Sequence, residues 1–314
     1  MPFQTILLTG ASGLIGNEFL KNATLNGYRV RALTRKRQDL VLGELCEVRN
    51  ADLAVECDLG EMLQGIDIVV HAAAELHDQN AMKSVNVDGS LRLLSAAIDA
   101  GVRRWVQVSS VGAYGLIRSG VVDESWIDSP KGLYEKTKSD FDLALIAASK
   151  CSDLEVCIVR PSNVYGAGMR NQSIKQMLNA IRRGFFTFIG PEGGSANYVH
   201  VQDVVQALML CIAHPNAVNK TYIVSAWAVI EDMVSGLSAG AGLKPPVWRV
   251  PLRLASIVAS VMQIWPKWPL TISRVQALSS RSQYSTKKIE TELGWKLTVP
   301  VEEGMRQFSQ ELRK

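Results

Sequence analysis

Tyr134 and Lys138 stand four positions apart in the stretch GLYEKTKSDF, residues 132–141. On a helix, side chains at that spacing share one face, a turn apart. A phenol and an ammonium so placed can move a proton, provided the phenol leaves its ordinary pKa near 10. The pair alone decides nothing, because a chain of 314 residues carries a few such matches by chance. Its meaning depends on what else the chain supplies.

A second constellation lies near the N-terminus. TGASGLIG spaces Gly10, Gly13 and Gly16 as G-x-x-G-x-x-G, after a strand-like run and before a helix-like one. Gly10 permits a tight turn, Gly13 lets backbone approach a pyrophosphate, and Gly16 lets the next helix pack closely on the sheet with its N-terminus towards the phosphates. In that context the triplet predicts a dinucleotide site. The end of the second strand reads RALTRKRQD: Thr34, then Arg35, Lys36 and Arg37, with Asp39 too late. An acid at that point serves ribose hydroxyls, whereas arginine pairs with a 2′-phosphate. Arg35 therefore favours NADP(H), with NAD(H) still possible.

These groups need a scaffold to hold them. Apolar, Val- and Ile-rich runs at 5–10, 28–34, 46–52, 67–73, 104–110 and 154–161 alternate with helix-like segments, notably 13–26, 80–100 and 134–149. That rhythm predicts βαβ units, an α/β fold with a doubly wound parallel sheet buried on both faces. The regularity breaks after about residue 166. A Gly-rich loop (190–197), an amphipathic helix (201–214) and a Pro- and Trp-rich stretch (245–270) follow. The expected division is a Rossmann domain over 1–168, to which 197–225 returns, and a smaller mixed substrate domain over most of 169–314.

Composition narrows the function. A net charge of +4 with scattered bases gives nucleic-acid binding no support. Five cysteines without a C-x-x-C pair, and four histidines without ligand spacing, argue for free thiols in a reducing compartment and no metal. The N-terminus lacks the ordered parts of a signal peptide, so a cytoplasmic protein is expected. The apolar stretch 252–270 is interrupted by Pro266 and Pro269 and should not span a bilayer. A buried helix or dimer face is the favoured reading, an interfacial helix the alternative.

The chain resembles the extended short-chain dehydrogenase/reductases, the NAD-dependent epimerase/dehydratase family of nucleotide-sugar epimerases and reductases and of steroid and flavonoid reductases. The resemblance runs nearly end to end, through TGASGLIG, CDL (57–59), VVHAAA (69–74), NVDGS (86–90), VSSVGAYG (108–115), YEKTK, RPSNVYG (160–166), YVHVQDV (198–204) and LGW (293–295). It implies that Tyr134 is the acid/base of hydride transfer at a secondary alcohol or ketone. It makes Lys138 the group that lowers the pKa of Tyr134 and binds the nicotinamide ribose, and Ser110 the hydrogen-bond partner of the reacting oxygen, with Ser109 as the neighbouring candidate. Cofactor contacts are implied for Ser12, Leu14 and Ile15 of the glycine turn, for Asp58 and Leu59 near the adenine, for Ala72, Ala73 and Ala74, and for Pro161, Asn163 and Val164. Asn163 and Arg274 are implied near a substrate diphosphate. Asn86 has a structural or proton-relay position, His71 reads as a satisfied core histidine, and His200 and Asp203 brace the strand and helix beneath the substrate.

Departures from the family's subgroups prune the reaction. Val111 and Gly112 offer neither the acids of the 4,6-dehydratases nor the cysteine of the 3,5-epimerase/reductases. A 4-ketoreductase acting on a nucleotide sugar is the leading expectation. A 4-epimerase with tightly held NAD, a steroid- or flavonoid-type dehydrogenase, and a non-catalytic cofactor-binding sensor are the alternatives. Survival of Ser110, Tyr134 and Lys138 together favours an enzyme, and a homodimer through 80–100 and 131–149 is common among such proteins.

Overall fold

A computed structural model describes residues 4–35, 44–55, 57–169, 172–262 and 272–313. Lys36, Arg37 and Asp39 of the basic run, and 263–271 of the apolar stretch, lie outside the described residues. Seven parallel strands form the central sheet: β1 (Thr5–Thr9), β2 (Arg29–Thr34), β3 (Cys46–Asn50), β4 (Ile68–His71), β5 (Arg104–Val108), β7 (Glu155–Pro161) and β11 (Lys220–Val224). Their spatial order is β11-β7-β5-β4-β1-β2-β3, so the winding reverses between β1 and β4, and a ligand crevice opens there at the carboxyl ends.

The sequence pattern explains the burial. Along each central strand alternate residues go to opposite faces, and both faces are apolar. Ile6, Leu8, Ile68, Val70 and Val106 face α1 (Leu14–Leu25) and α7 (Val201–Ala213). Leu7, Val69, Trp105, Val156 and Ile158 face α4 (Ser90–Asp99) and α5 (Leu133–Cys151). α1 buries Gly16, Phe19, Leu20 and Ala23, one stripe at helical spacing. α2 (Leu59–Leu63) precedes β4, and α3 (Gln79–Lys83) leads into α4 through a π-helical turn, Ser84–Gly89.

The remaining elements build the smaller part. β8 (Asn163–Tyr165), β10 (Ser195–His200) and β12 (Ala226–Val229) form one sheet. β6 (Ser119–Val122) pairs with β14 (Arg281–Tyr284), and β9 (Phe188–Ile189) with β13 (Arg249–Val250). α6 (Ser173–Arg182), α8 (Ile230–Ala241), α9 (Leu252–Met262), α10 (Ile272–Ser279), α11 (Lys287–Leu293) and α12 (Val301–Glu311) pack around them. α7 and β11 return to the large sheet, whereas β10, expected to return with them, pairs with β8 and β12 instead. Asp203, fully buried on α7, braces the chain after α11: its carboxylate accepts the Thr298 and Val299 N–H groups, at 2.8 and 3.2 Å. No described helix is long and apolar enough to cross a membrane.

His71 ends β4, just before the crevice-lining Ala72, and is buried with both ring nitrogens used. Ser90 Oγ donates to the Val85 carbonyl at 3.0 Å and therefore accepts from His71 Nε2–H, also at 3.0 Å. Nδ1 then accepts from Thr9 Oγ1 at 2.8 Å, and Thr9 Oγ1 takes the Ala73 N–H at 3.1 Å. Burial first, and then the Lys138 charge, hold this imidazole well below its ordinary pKa. It stays neutral in the fold while the unfolded chain titrates near pH 6.5. The unfolded state thus binds more protons below that pH, and stability falls as pH drops, by up to about 1.4 kcal/mol per unit from this one group. Stability of the wild type against urea should fall between about pH 7.5 and 5.5, more steeply than that of His71→Gln; equal slopes would exclude His71 as the source.

Candidate active site

At the carboxyl ends of β1, β2, β4 and β5 lies a cleft of about 660 Å³. Its first wall is the β1–α1 turn, where Gly10, Ser12, Gly13, Leu14, Ile15 and Gly16 all line it. Gly10 sits at φ +69°, and a Cβ there would lie 2.6 Å from the Ala73 nitrogen, so only glycine closes this turn. A Cβ on Gly16 would run into the Gly10 carbonyl oxygen, which is the close helix–strand packing such a turn requires. Ala72, Ala73 and Ala74 line the same wall from the end of β4.

Arg35, exposed just past β2, lines the far end of the cleft. Two neighbours there differ from expectation. β3 ends at Asn50, so the crevice at its carboxyl end is lined by Asp52 and Leu53. Asp58 and Leu59 are not among the lining residues: Asp58 caps α2, its carboxylate accepting the Glu61 N–H at 3.1 Å, and Leu59 is buried under the sheet. The CDL stretch is thus a helix start, and its Asp58 and Leu59 lie outside the cleft lining.

The other end gathers the chemistry. Tyr134 and Lys138 lie in the first two turns of α5 and line the cleft with Ser109 and Ser110 at the end of β5. The two serines divide their work. Ser109 is buried and donates to Asp142 at 2.6 Å. Ser110 Oγ accepts the Gly112 N–H at 3.0 Å, which leaves its hydroxyl hydrogen able to donate into the cleft. Lys138 is 3% exposed, and burial pushes its ammonium down to about 8, with Asp142 pulling the other way. The Tyr134 hydroxyl is pushed up, by burial first and then by the charges of Glu135 and Asp142. The expected lowering of Tyr134 by Lys138 is outweighed by burial and these charges, so Tyr134 holds its proton at neutral pH.

A buried ionic network supports this end from behind. Arg160 makes two 2.7 Å bonds to Asp128 and reaches Asp142 at 3.1 Å. Burial raises the Asp142 carboxyl despite Arg160, Ser109 and Lys138 beside it. Asn86, in the π-helical turn, clamps the wall: its side chain accepts the Glu75 N–H at 2.7 Å and donates to the Glu75 carbonyl and to Thr137 Oγ1, both at 3.0 Å. It ties the loop after β4 to the helix carrying Tyr134, the kind of local irregularity that π-turns supply at sites.

Pro161, Asn163 and Val164 line the cleft from β7 and β8, Asn163 donating to the Asn197 carbonyl at 3.2 Å. Arg274 does not line it. It is exposed on α10 and donates to Gln176 of α6 at 3.0 Å. Sequence reasoning passed over Asp52, Leu53, Glu75, Glu135 and Met169, all of which line the cleft. Glu135 was adjacent to Tyr134 throughout, and Gly112 makes room for it: a Cβ on Gly112 would lie 2.6 Å from Glu135 Cγ. Among the described residues there is no group of three or more His, Cys, Asp or Glu that could hold a metal ion.

Comparison with known proteins gives the same picture at the level of family. Residues 6–225 match the model of the NAD dependent epimerase/dehydratase family. The chain is 28% identical over 323 residues to a UDP-glucose 4-epimerase of Vibrio cholerae, covering 99% of this chain and 95% of the relative. It is 29% identical over 268 residues to sterol demethylase protein B of Methylococcus capsulatus, covering 82% and 80%. Among solved structures it resembles MoeE5 in complex with UDP-glucuronic acid and NAD, with a TM-score of 0.76, 25% identity, and coverage of 98% and 99%. With the glycine turn, the seven-stranded sheet and this match over more than two-thirds of its length, the chain belongs to the NAD-dependent epimerase/dehydratase family, as an NAD(P)-dependent oxidoreductase or epimerase of the extended short-chain dehydrogenase/reductase type.

Proposed function

We propose that this protein is a reductase that passes hydride between NADP(H) and a ring ketone or secondary alcohol of a nucleotide sugar. The observation that carries the reading is the pairing of a protonated Tyr134 with Ser110 at one end of the cleft and Arg35 at the other. The residues fit a dinucleotide: the glycine turn and the α1 N-terminus suit a pyrophosphate, and Arg35 suits a 2′-phosphate. A bound nicotinamide supplies the hydride. Ser110 donates to the substrate oxygen, and Tyr134 gives its proton to the alkoxide that forms there, in the direction of reduction. Lys138, buried beneath and charged below about pH 8, adds positive potential where negative charge develops. The full-length match to a UDP-glucose 4-epimerase supports a sugar-nucleotide substrate and is also the observation that favours a second reading, 4-epimerisation with retained NAD. The sterol relative supports a third, a hydrophobic ring alcohol. A cytoplasmic dimer through the exposed Leu91 of α4 and Leu143 of α5 is part of the same proposal.

The test is an assay with UDP-4-keto-6-deoxyglucose and with UDP-galactose. Consumption of NADPH with the keto sugar supports the reductase. Conversion of UDP-galactose to UDP-glucose without net cofactor change supports the epimerase, and neither reaction sinks the nucleotide-sugar reading. Arg35 gives a separate prediction: Arg35→Ala should weaken NADPH binding by about 10-fold or more and leave NADH nearly unchanged, since a charge-assisted phosphate contact contributes roughly 1.5–3 kcal/mol. Calorimetric titration checks this, and equal losses for both cofactors would deny Arg35 that role.

A further inference from the structure

α9 carries an apolar face that no described residue covers. Its inner side, Ala255 and Ala259, is buried against Ile189 and Val275. Spacing of i, i+3 and i+7 puts Leu254, Ile257 and Val261 together on the opposite side, where they are 52%, 61% and 61% exposed. The β9–β13 ribbon beneath extends the patch. Val250 faces α9, while Arg249 stacks over Phe188 on the other side, and Trp248 directly precedes β13. Trp248 and Val247 are 78% and 81% exposed. The Phe188 N–H donates to the Trp248 carbonyl.

The segments that form this patch or lead into it carry bases, with acids only at its border. From 241 to 262 the chain carries Lys244, Arg249 and Arg253 and no acid; from 173 to 190 it carries Lys175, Arg182 and Arg183 and again no acid. Arg249 is taken by Glu231 at 2.8 Å, with Glu192 at 3.8 Å on the border. Lys244, Arg253, Arg182 and Arg183 are exposed, with no ion pair to a described acid.

We propose that the protein docks peripherally on an anionic lipid surface through the outer face of α9 and the Val247–Trp248 edge, with Lys244, Arg253 and Arg183 set against headgroup phosphates. An apolar helix face with a tryptophan at its margin and bases around it suits the boundary between headgroups and acyl chains. α9 has 11 residues, too few to span and enough to lie in that plane. The charge pattern also selects lipid over a second copy. In a two-fold contact the same patch faces itself, so two net-basic surfaces would be brought together, with no acid in 241–262 to pair with Lys244 and Arg253.

Co-sedimentation of the whole chain with vesicles tests this, using phosphatidylcholine alone and phosphatidylcholine with phosphatidylglycerol. The expected result is binding to the anionic vesicles only, released at about 0.5 M salt, where screening is strong. Leu254→Glu/Ile257→Glu and Lys244→Glu/Arg253→Glu should each cut the bound fraction about 10-fold or more, because each removes one of the two contributions to interfacial binding. NADPH titration of both variants should match the wild type and so report an intact fold. The inference is overturned if wild type stays in the supernatant with both vesicles, if the variants bind as well as wild type, or if sedimentation velocity shows a dimer that Leu254→Glu/Ile257→Glu dissociates.

Discussion

Tyr134→Phe should lower turnover by about 10²–10⁴-fold, the usual cost of losing a positioned proton donor, while nucleotide affinity and melting temperature stay close to wild type. The reasoning is local. The hydroxyl is the only atom removed, the ring stays in place, and the glycine turn and Arg35 that suit the nucleotide are untouched. Among the described residues no side chain is hydrogen-bonded to that hydroxyl, so no such bond is lost with it. Steady-state rates with the keto sugar, read against a cofactor titration, separate the two effects. A variant that kept full activity would remove Tyr134 from the chemistry. A variant that lost cofactor affinity in proportion to rate would recast it as a binding residue.

Arg160→Met should cost about 3–5 kcal/mol of stability, the range for breaking a buried ion pair by removing one partner. Arg160 is nearly buried, at 7% side-chain exposure, and it bridges Asp128 and the fully buried Asp142. Without it, Asp142 keeps Ser109 and the Lys138 charge, and its second oxygen has no hydrogen bond even now. Among the described residues Asp128 would keep its 3.1 Å bond from Ser139 and no other. Since Asp142 lies one turn beyond Lys138 and also holds Ser109, the loss should loosen the catalytic end together with the fold. Denaturant unfolding measures the first effect. A loss under about 1 kcal/mol, the range of exposed pairs, would show that the network carries little stability.

The parallel sheet was legible because its strands obey a simple rule. Runs such as Ile68–His71 and Arg104–Val108 are buried throughout, and both faces of the sheet need apolar residues, so the pattern reads directly as Val- and Ile-rich segments between helices. The helix at 134–149 was legible for the same kind of reason and spans Leu133–Cys151. What escaped was short or irregular. β9 and β13 have two residues each, too few for any periodicity. The π-helical turn at Ser84–Gly89 leaves buried positions at helical spacing through Met82, Val85, Gly89 and Leu93, so the sequence pattern does not show it.

The cleft shows the same division. Residues carried by a spacing, such as the glycine turn and Tyr134 with Lys138, line it. Residues assigned through a motif whose register depends on a loop did not all follow: Asp58 caps a helix and Arg274 bonds Gln176. Glu135 and Glu75 escaped because a lone acid carries no pattern until the fold sets it beside Ser110 or Asn86. For the stretch at 252–270 a buried helix or a dimer face is the favoured expectation, with an interfacial helix as the alternative. α9 is buried on one side only, which alternation of Ala and larger residues at 254–261 could have signalled.

The measurement that tests the central claim most directly is calorimetric titration of nucleotide-stripped protein with NADPH and with NADH. Saturable binding near one equivalent, tighter for NADPH, is the result predicted from the glycine turn and Arg35. No saturable binding of either nucleotide would contradict the assignment of this cleft as a nicotinamide dinucleotide site, and with it the roles given to Tyr134 and Lys138.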